Sequence, residues 1–152
     1  MSRDKPDRKP LIALVHNADK AFQAHMVRSA HERGRPDIKP AHGFLFAILG
    51  DDGDRAANLA VRAGITRQSM GEVIRDLVDL GVLEMVPDPH DGRAKIVRYT
   101  VEGKRFASAG YRHLRTLEER FEQEFGADYE VTRVVLDRVV ELLAEPADDG
   151  QG

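Results

Sequence analysis

Apolar residues recur at three- and four-residue intervals near both ends of the chain, which predicts two long amphipathic helices there. From Leu11 to His31 they fall on one side of a helix that ends before Gly34. Thr100 is a good N-cap for a second long helix. Its apolar positions are Phe106, Leu114, Leu117, Phe121 and Phe125. Gly126 breaks this pattern, and Asp128 is predicted to cap a last helix.

The middle of the chain predicts three shorter helices. Residues 40–49 form a short, largely buried helix, and residues 50–54 read as a turn. Another helix covers about Arg55 to Arg62. Thr66 is a good N-cap for the third, and Gly81 ends it as a glycine after a helix does.

A β-hairpin is predicted after these helices. Leu83 to Val86 and Lys95 to Tyr99 are rich in strand-forming residues. Pro87 to Gly92 contains two prolines and a glycine, which predict a long loop between the strands. The fold class is therefore mainly α with a small β-hairpin.

Two short helices joined by a tight glycine-containing turn are typical of a helix-turn-helix, whose second helix can enter the major groove of DNA. The same periodicity is also typical of two ordinary core helices. A hairpin with a polar, arginine-bearing tip directly downstream favours the first interpretation, because it can act as a wing that reaches the DNA backbone or minor groove. The predicted organisation is an N-terminal tail (1–10), dimerisation helices (11–35 and 101–145), a winged helix-turn-helix (40–100) and a C-terminal tail (146–152).

Three segments carry a specific pattern. They read Asn58-Leu59-Ala60-x-x-Ala63-Gly64-Ile65-Thr66-Arg67-Gln68-Ser69-Met70, then Leu77-x-x-Leu80-Gly81-Val82-Leu83, then Asp88-Pro89-His90-Asp91-Gly92-Arg93-Ala94-Lys95-x-Val97-x-Tyr99-Thr100-x-x-Gly103. This pattern is similar to the core of the MarR family of transcriptional regulators. The resemblance implies a homodimer that binds a pseudo-palindromic operator in double-stranded DNA and represses transcription until a small molecule releases it. Activation instead of repression stays open.

Candidate DNA-reading residues lie on the second helix of the motif. Thr66, Arg67, Gln68 and Ser69 occupy its first turn, where side chains and free N–H groups face bases and phosphates. Gln68 suits adenine, and Arg67 suits guanine or phosphate. Arg75, further along, is a candidate phosphate contact. The alternative is that both arginines are ordinary solvated charges.

Candidate contacts on the wing follow from the resemblance. Arg93 looks like the family's minor-groove arginine, and Asp91 is expected to brace it through a bidentate pair. A purely structural pair of these two residues is the alternative. Lys95 and Arg98 are further candidates for contacts with the DNA backbone. The alternative is that they are exposed strand residues with no effect on binding.

The sequence departs from the family pattern at two places. Glu72 stands where many members have a basic or small polar residue, and the stretch from Glu84 to Pro87 lacks an arginine often found there. Both departures lower the positive charge near the groove and favour weaker DNA binding.

Charge is unevenly distributed along the 152 residues. The net charge is −3, but residues 55–105 carry nine basic and seven acidic side chains, whereas residues 106–152 carry five basic and eleven acidic ones. The middle of the chain therefore allows a local basic surface in spite of the total.

Composition argues against several other classes. With no cysteine, disulfides, cysteine-ligated metals and thiol redox sensing are excluded. His16, His25 and His31 lack the four-residue spacing of a helical zinc site, so neither a metal nor a cofactor is expected. No nucleophile has a base in a site shielded from water, so no enzyme is expected. No apolar run is long enough for a membrane span or signal sequence, which predicts a cytoplasmic protein.

A ligand pocket is a further hypothesis. Six residues combine apolar bodies with a few polar groups, a mixture suited to a small aromatic carboxylate. They are Phe22, His25, Met26, His42, Phe46 and His113. The alternative is that they belong to the core. The alternative function for the whole chain is a dimeric helical interaction module that does not bind DNA.

Overall fold

A computed structural model describes residues 8–144 and confirms the predicted order of helices and hairpin. The helices are α1 (Leu11–Glu32), α2 (Gly43–Ile48), α3 (Ala56–Ala63), α4 (Arg67–Asp79), α5 (Val101–Phe125) and α6 (Ala127–Ala144), with a 3-10 turn at Pro40–His42. The strands are β1 (Leu83–Asp88) and β2 (Asp91–Tyr99). Most of the predicted N-terminal tail and all of the C-terminal one lie outside the described residues. None of the described helices has an apolar stretch that could cross a membrane.

The chain divides into two compact units between Tyr111 and Arg112. The first unit contains the core, which gathers the apolar faces of α2, α3 and α4 against the hairpin. Its fully buried apolar side chains are Leu45, Leu59, Met70, Ile74, Leu77, Val82, Leu83 and Val97. The apolar side chains that recur every three or four residues along α4 therefore pack against the inward-facing side chains of both strands in one core.

The hairpin is longer and tighter than the sequence predicts. Pro87 pairs with Lys95 and Asp88 with Asp91, which leaves only two residues at the tip. The expected long loop is wrong because a proline is tolerated on a strand whose outer edge is unpaired. The strand β1 is such an edge, since the isolated bridge from Asp54 joins β2 at Val97.

The start of α5 is locked onto the turn between α4 and β1. The Thr100 hydroxyl donates to the Gly81 carbonyl at 2.6 Å, and the Thr100 amide donates to the Val82 carbonyl at 3.1 Å. The Gly103 amide donates to the Thr100 hydroxyl at 2.9 Å, which caps the helix. The space beside Gly103 is filled, because an added Cβ would lie 1.8 Å from the Val82 carbonyl oxygen. The Thr-x-x-Gly motif is therefore a packing requirement.

In the second unit, the end of α5 packs on α6 through aromatic rings. The Phe121 ring lies 5.9 Å from Phe125 and 6.1 Å from Tyr129, centroid to centroid. Arg133 lies 5.8 Å over the Tyr129 ring and pairs with Glu118 at 3.9 Å. The helix α6 begins at Ala127, one residue before the predicted cap at Asp128.

Both terminal helices leave apolar side chains exposed. The helix α1 buries only Ser29 and Ala30, and α6 buries none of its residues. The exposed apolar residues of these helices are Leu11, Ile12, Leu14, Val15, Phe22, Val131, Val134, Val135, Leu136, Val140, Leu142 and Leu143. Each of the two helices thus exposes more apolar side chains than isolated surface residues account for, which indicates that it associates with another surface.

The substitution Gly103→Ala is expected to destabilise the protein by about 1–3 kcal/mol, because the added methyl group overlaps the Val82 carbonyl. A matched control is Gly71→Ala in α4, where the added Cβ would meet only the end of the Arg75 side chain at 3.9 Å. It should stabilise by about 0.5–1 kcal/mol through helix propensity. Denaturant unfolding of both variants measures this difference, and equal effects would contradict the packing argument.

Candidate nucleic-acid interface

The turn between α3 and α4 fixes the start of the second helix of the motif. Gly64 ends α3 with φ at +66°, a conformation that favours glycine. Thr66 then caps α4, since its hydroxyl oxygen accepts from the Ser69 amide at 3.0 Å. The hydroxyls of Thr66 and Ser69 are also 2.9 Å apart. Both predicted DNA-binding hydroxyls therefore already take part in the cap, and Arg67 and Gln68 lie exposed beside them.

The helix α4 has one buried and one exposed face. Its buried face packs Met70, Ile74 and Leu77 into the core. Four residues at spacings of four, three and four positions share the opposite, exposed face. They are Gln68, Glu72, Arg75 and Asp79, which we call the outer stripe of α4. The stripe carries two acids and one arginine, so its surface is not basic.

A network centred on Asp76 ties α4 to the segment before α2. Asp76 accepts from the Lys39 ammonium at 3.1 Å and lies 3.3 Å from Nε2 of His42. The other ring nitrogen of His42 accepts from the Lys39 amide at 3.1 Å. These contacts hold the pKa of Asp76 below its usual value, through Lys39 first and His42 second. They fix the orientation of α4, whose outer stripe is adjacent.

An ion pair that the sequence analysis missed joins the residue before α3 to the wing. The carboxylate of Asp88 is buried and accepts from Nε of Arg55 at 2.8 Å and from Nη2 at 2.6 Å. It also accepts from the His90 amide at 2.9 Å. The two partners are 33 residues apart, so no local pattern in the sequence could reveal the pair. The only available signal was Asp88 itself, within the wing motif.

The expected bidentate pair between Asp91 and Arg93 does not form. Asp91 accepts from the backbone amide of Arg93 at 3.2 Å, and its other oxygen faces Arg55 at 3.8 Å. A carboxylate that bonds the backbone two residues on closes a tight turn, which competes with a side-chain pair. Asp91 therefore shapes the tip of the wing.

The cations of the wing differ in their partners. Arg98 pairs with Glu84 across the hairpin at 2.7 Å. Arg93 and Lys95 are exposed, and within residues 8–144 their side chains form no hydrogen bond or ion pair. Arg67 and Arg75 on α4 are likewise exposed and unpaired within this range. These four cations are available to an external anion.

The six candidate ligand residues are spread over several elements. Phe22, His25 and Met26 lie on α1, with Phe22 exposed, while His113 belongs to the second unit. Phe46 stacks on Tyr99 at 6.3 Å and meets the edge of Phe106 at 5.5 Å. His42 is buried, with both ring nitrogens engaged, which gives it a structural role. A pocket formed by the six residues stays a prediction.

Sequence comparison relates the chain to transcriptional regulators. A family model described as MarR family matches residues 36–94. The transcriptional regulator HosA of Escherichia coli O111:H- is 30% identical over 95 residues, which cover 62% of this chain and 69% of that protein. HosA of Escherichia coli O157:H7 is 28% identical over the same shares. The matched family region contains the helix-turn-helix and most of the hairpin.

Solved structures share the fold. The apo form of MarR from Escherichia coli superposes with a TM-score of 0.62 at 18% identity, covering 88% of this chain and 98% of that one. The transcriptional regulator SlyA superposes with a TM-score of 0.70 at 13% identity, covering 88% of this chain and 92% of that one. The long helices are therefore part of the shared fold.

The substitution Asp88→Asn is expected to make the stability of the folded protein less dependent on pH in the acid range. Hydrogen bonds from the His90 amide and from Arg55 hold the pKa of Asp88 below its ordinary value of 3.8. The ionised carboxylate thus stabilises the folded protein above that pH, and its contribution is lost as the pH falls through the lowered pKa. Denaturant midpoints should be lower for the variant at neutral pH and converge with the wild type in acid.

The control for this measurement is Asp52→Asn. Asp52 is exposed in a turn, and within the described residues its side chain forms no hydrogen bond or ion pair. The denaturant midpoint of Asp52→Asn should change with pH in the same way as that of the wild type. Identical profiles for Asp88→Asn and the wild type would contradict a stabilising role for the ion pair with Arg55.

Proposed function

This chain belongs to the MarR family of transcriptional regulators, and we propose that it works as a homodimer that binds a pseudo-palindromic operator and represses transcription until a small molecule releases it. One observation carries the proposal. The exposed N-terminal turn of α4 lies on the same unit as a hairpin whose Arg93 and Lys95 have no partner within residues 8–144.

DNA recognition would divide between helix and wing. The first turn of α4 presents Arg67 and Gln68 together with its free amides, which suits insertion into the major groove. Arg93 and Lys95 would meet the sugar-phosphate backbone or a narrow minor groove. The ion pair of Arg55 and Asp88 supports this division, because it ties the wing to the helix pair that it must accompany.

Dimerisation would use the two long terminal helices. Their exposed apolar residues, such as Leu11 on α1 and Leu142 on α6, need a covering surface. A second copy of the chain supplies such a covering surface. The resulting dimer has two-fold symmetry, which matches the symmetry of a pseudo-palindromic operator.

Release would follow from a ligand that binds the DNA-free form more tightly than the DNA-bound one. We propose a small aromatic carboxylate, supported by the aromatic rings of Phe22 and Phe46, the imidazole of His25 and the apolar side chain of Met26. If so, benzoate or a hydroxybenzoate at millimolar concentration lowers operator affinity. Unchanged affinity with a panel of such acids would remove this part of the proposal.

Arg93→Ala and Gln68→Ala are expected to weaken DNA binding in different ways. Loss of Arg93 should weaken binding to operator and scrambled duplexes alike and make the salt dependence shallower, because a phosphate contact is lost from each protomer. Loss of Gln68 should cost about 1–3 kcal/mol on the operator and little on scrambled DNA, because a base contact is lost. Fluorescence anisotropy at two salt concentrations measures both, using duplexes selected by the wild type from a random library.

The charge-matched control is Arg120→Ala, an exposed arginine on α5 outside the winged region. It should leave both affinities within twofold of the wild type. If no duplex is selected, or if Arg93→Ala leaves every affinity unchanged, the winged-helix mechanism fails. A helical interaction module that does not bind DNA then becomes the better explanation.

Light scattering is expected to give a dimer mass at micromolar concentration. Leu142→Glu should shift the mass towards the monomer, because a charge replaces an apolar side chain at the expected interface. Val61→Glu is the control, since Val61 is also apolar and exposed but lies on α3. A monomer mass for the wild type would exclude the dimer.

A further inference from the structure

Glu72 lies in the middle of the outer stripe of α4, a position where a DNA-binding helix rarely gains from negative charge. Gln68 is one turn before it and Arg75 one turn after it on the same exposed face. The buried residues Met70 and Ile74 hold this face outward. Any groove that receives the first turns of α4 therefore also receives a carboxylate.

The carboxylate of Glu72 is not neutralised by a neighbouring cation. Within the described residues it takes part in no ion pair, although Arg75 is only three positions away. Within the same residues its side chain forms one hydrogen bond, a long one of 3.5 Å from Nε2 of Gln68. The amide must be the donor there, because an ionised carboxylate only accepts. The other carboxylate oxygen and the amide oxygen of Gln68 remain as acceptors on the surface.

The edges of the base pairs limit what can satisfy these acceptors. In the major groove only the amino groups of cytosine and adenine are hydrogen-bond donors, whereas guanine presents two acceptors and thymine one acceptor and a methyl group. Adenine also presents the acceptor N7 beside its amino group, and cytosine does not. A carboxylate brought against acceptors or phosphates would be desolvated without a partner, which is costly.

On these grounds we propose that Glu72 is a specificity-determining residue that requires a cytosine at one position of each operator half-site and rejects guanine and thymine there. The inference rests on the proposed DNA-binding function and deepens it. Glu72 also lowers the affinity for non-specific DNA, because its charge repels phosphates wherever no amino group is offered. The outer stripe of α4 thus lowers the overall affinity for DNA and increases the discrimination between DNA sequences.

The test compares base preferences, since a purely electrostatic role would leave them unchanged. Wild type, Glu72→Gln and the charge-matched control Asp79→Asn each select duplexes from a random library, and affinities are then measured for all four bases at the position concerned. Asp79 lies at the C-terminal end of the same stripe, where recognition helices make few base contacts. Thermal melting should show all three proteins equally folded, because both residues are exposed.

The expected result for Glu72→Gln is loss of the cytosine preference at one position, on the order of tenfold, together with tighter binding to random DNA. The wild type and Asp79→Asn should share the same preference. A uniform gain in affinity with unchanged preferences, or a wild type without a cytosine at any selected position, would overturn the proposal. Either outcome leaves the proposed function standing if Gln68→Ala still loses operator affinity. A wild type that selects nothing would refute both.

Discussion

The close approach of α5 to the turn after α4 is the constraint on which the rest of the first unit depends. With no side chain at Gly103, the backbone of α5 can lie against the Val82 carbonyl while Thr100 bonds both Gly81 and Val82. On the other side of the turn, Arg35 donates to the Leu80 carbonyl at 2.9 Å. The end of α4, the beginning of the wing and the beginning of the long helix are thereby joined at one turn.

The cations of the winged region fall into two groups, one that pairs with acids of the same chain and one that stays exposed. Arg55, Arg62 and Arg98 are each paired with an acid of their own chain, and Lys39 is paired with Asp76. Half of the eight lysines and arginines in residues 39–100 thereby hold helices and strands together. The net charge of −3 therefore says little about DNA binding. What matters is which cations keep their charge exposed.

The fold was largely predictable because its signals are local. Gly64, Thr66 and Gly81 end or begin helices through their own backbone conformation or side chain, and the apolar spacing of Met70, Ile74 and Leu77 identifies the buried face of α4. The site was less predictable. The partner of Asp88, Arg55, is 33 residues away in the sequence, and His42, a partner of Asp76, is 34 residues away. Tertiary packing determines such pairs. The expected bidentate pair of Asp91 with Arg93 was wrong because a backbone amide two residues away competes with the guanidinium.

Pro87 affects whether other chains can add a strand to the hairpin. The strand β1 has no partner on its outer side within the described residues, and an open strand edge is a template on which other chains can add strands. Pro87 lacks the N–H group that such an addition needs, and the ladder is irregular between Pro87 and Asp88. The outer edge of the wing is thereby a poor template for strand addition by a second chain.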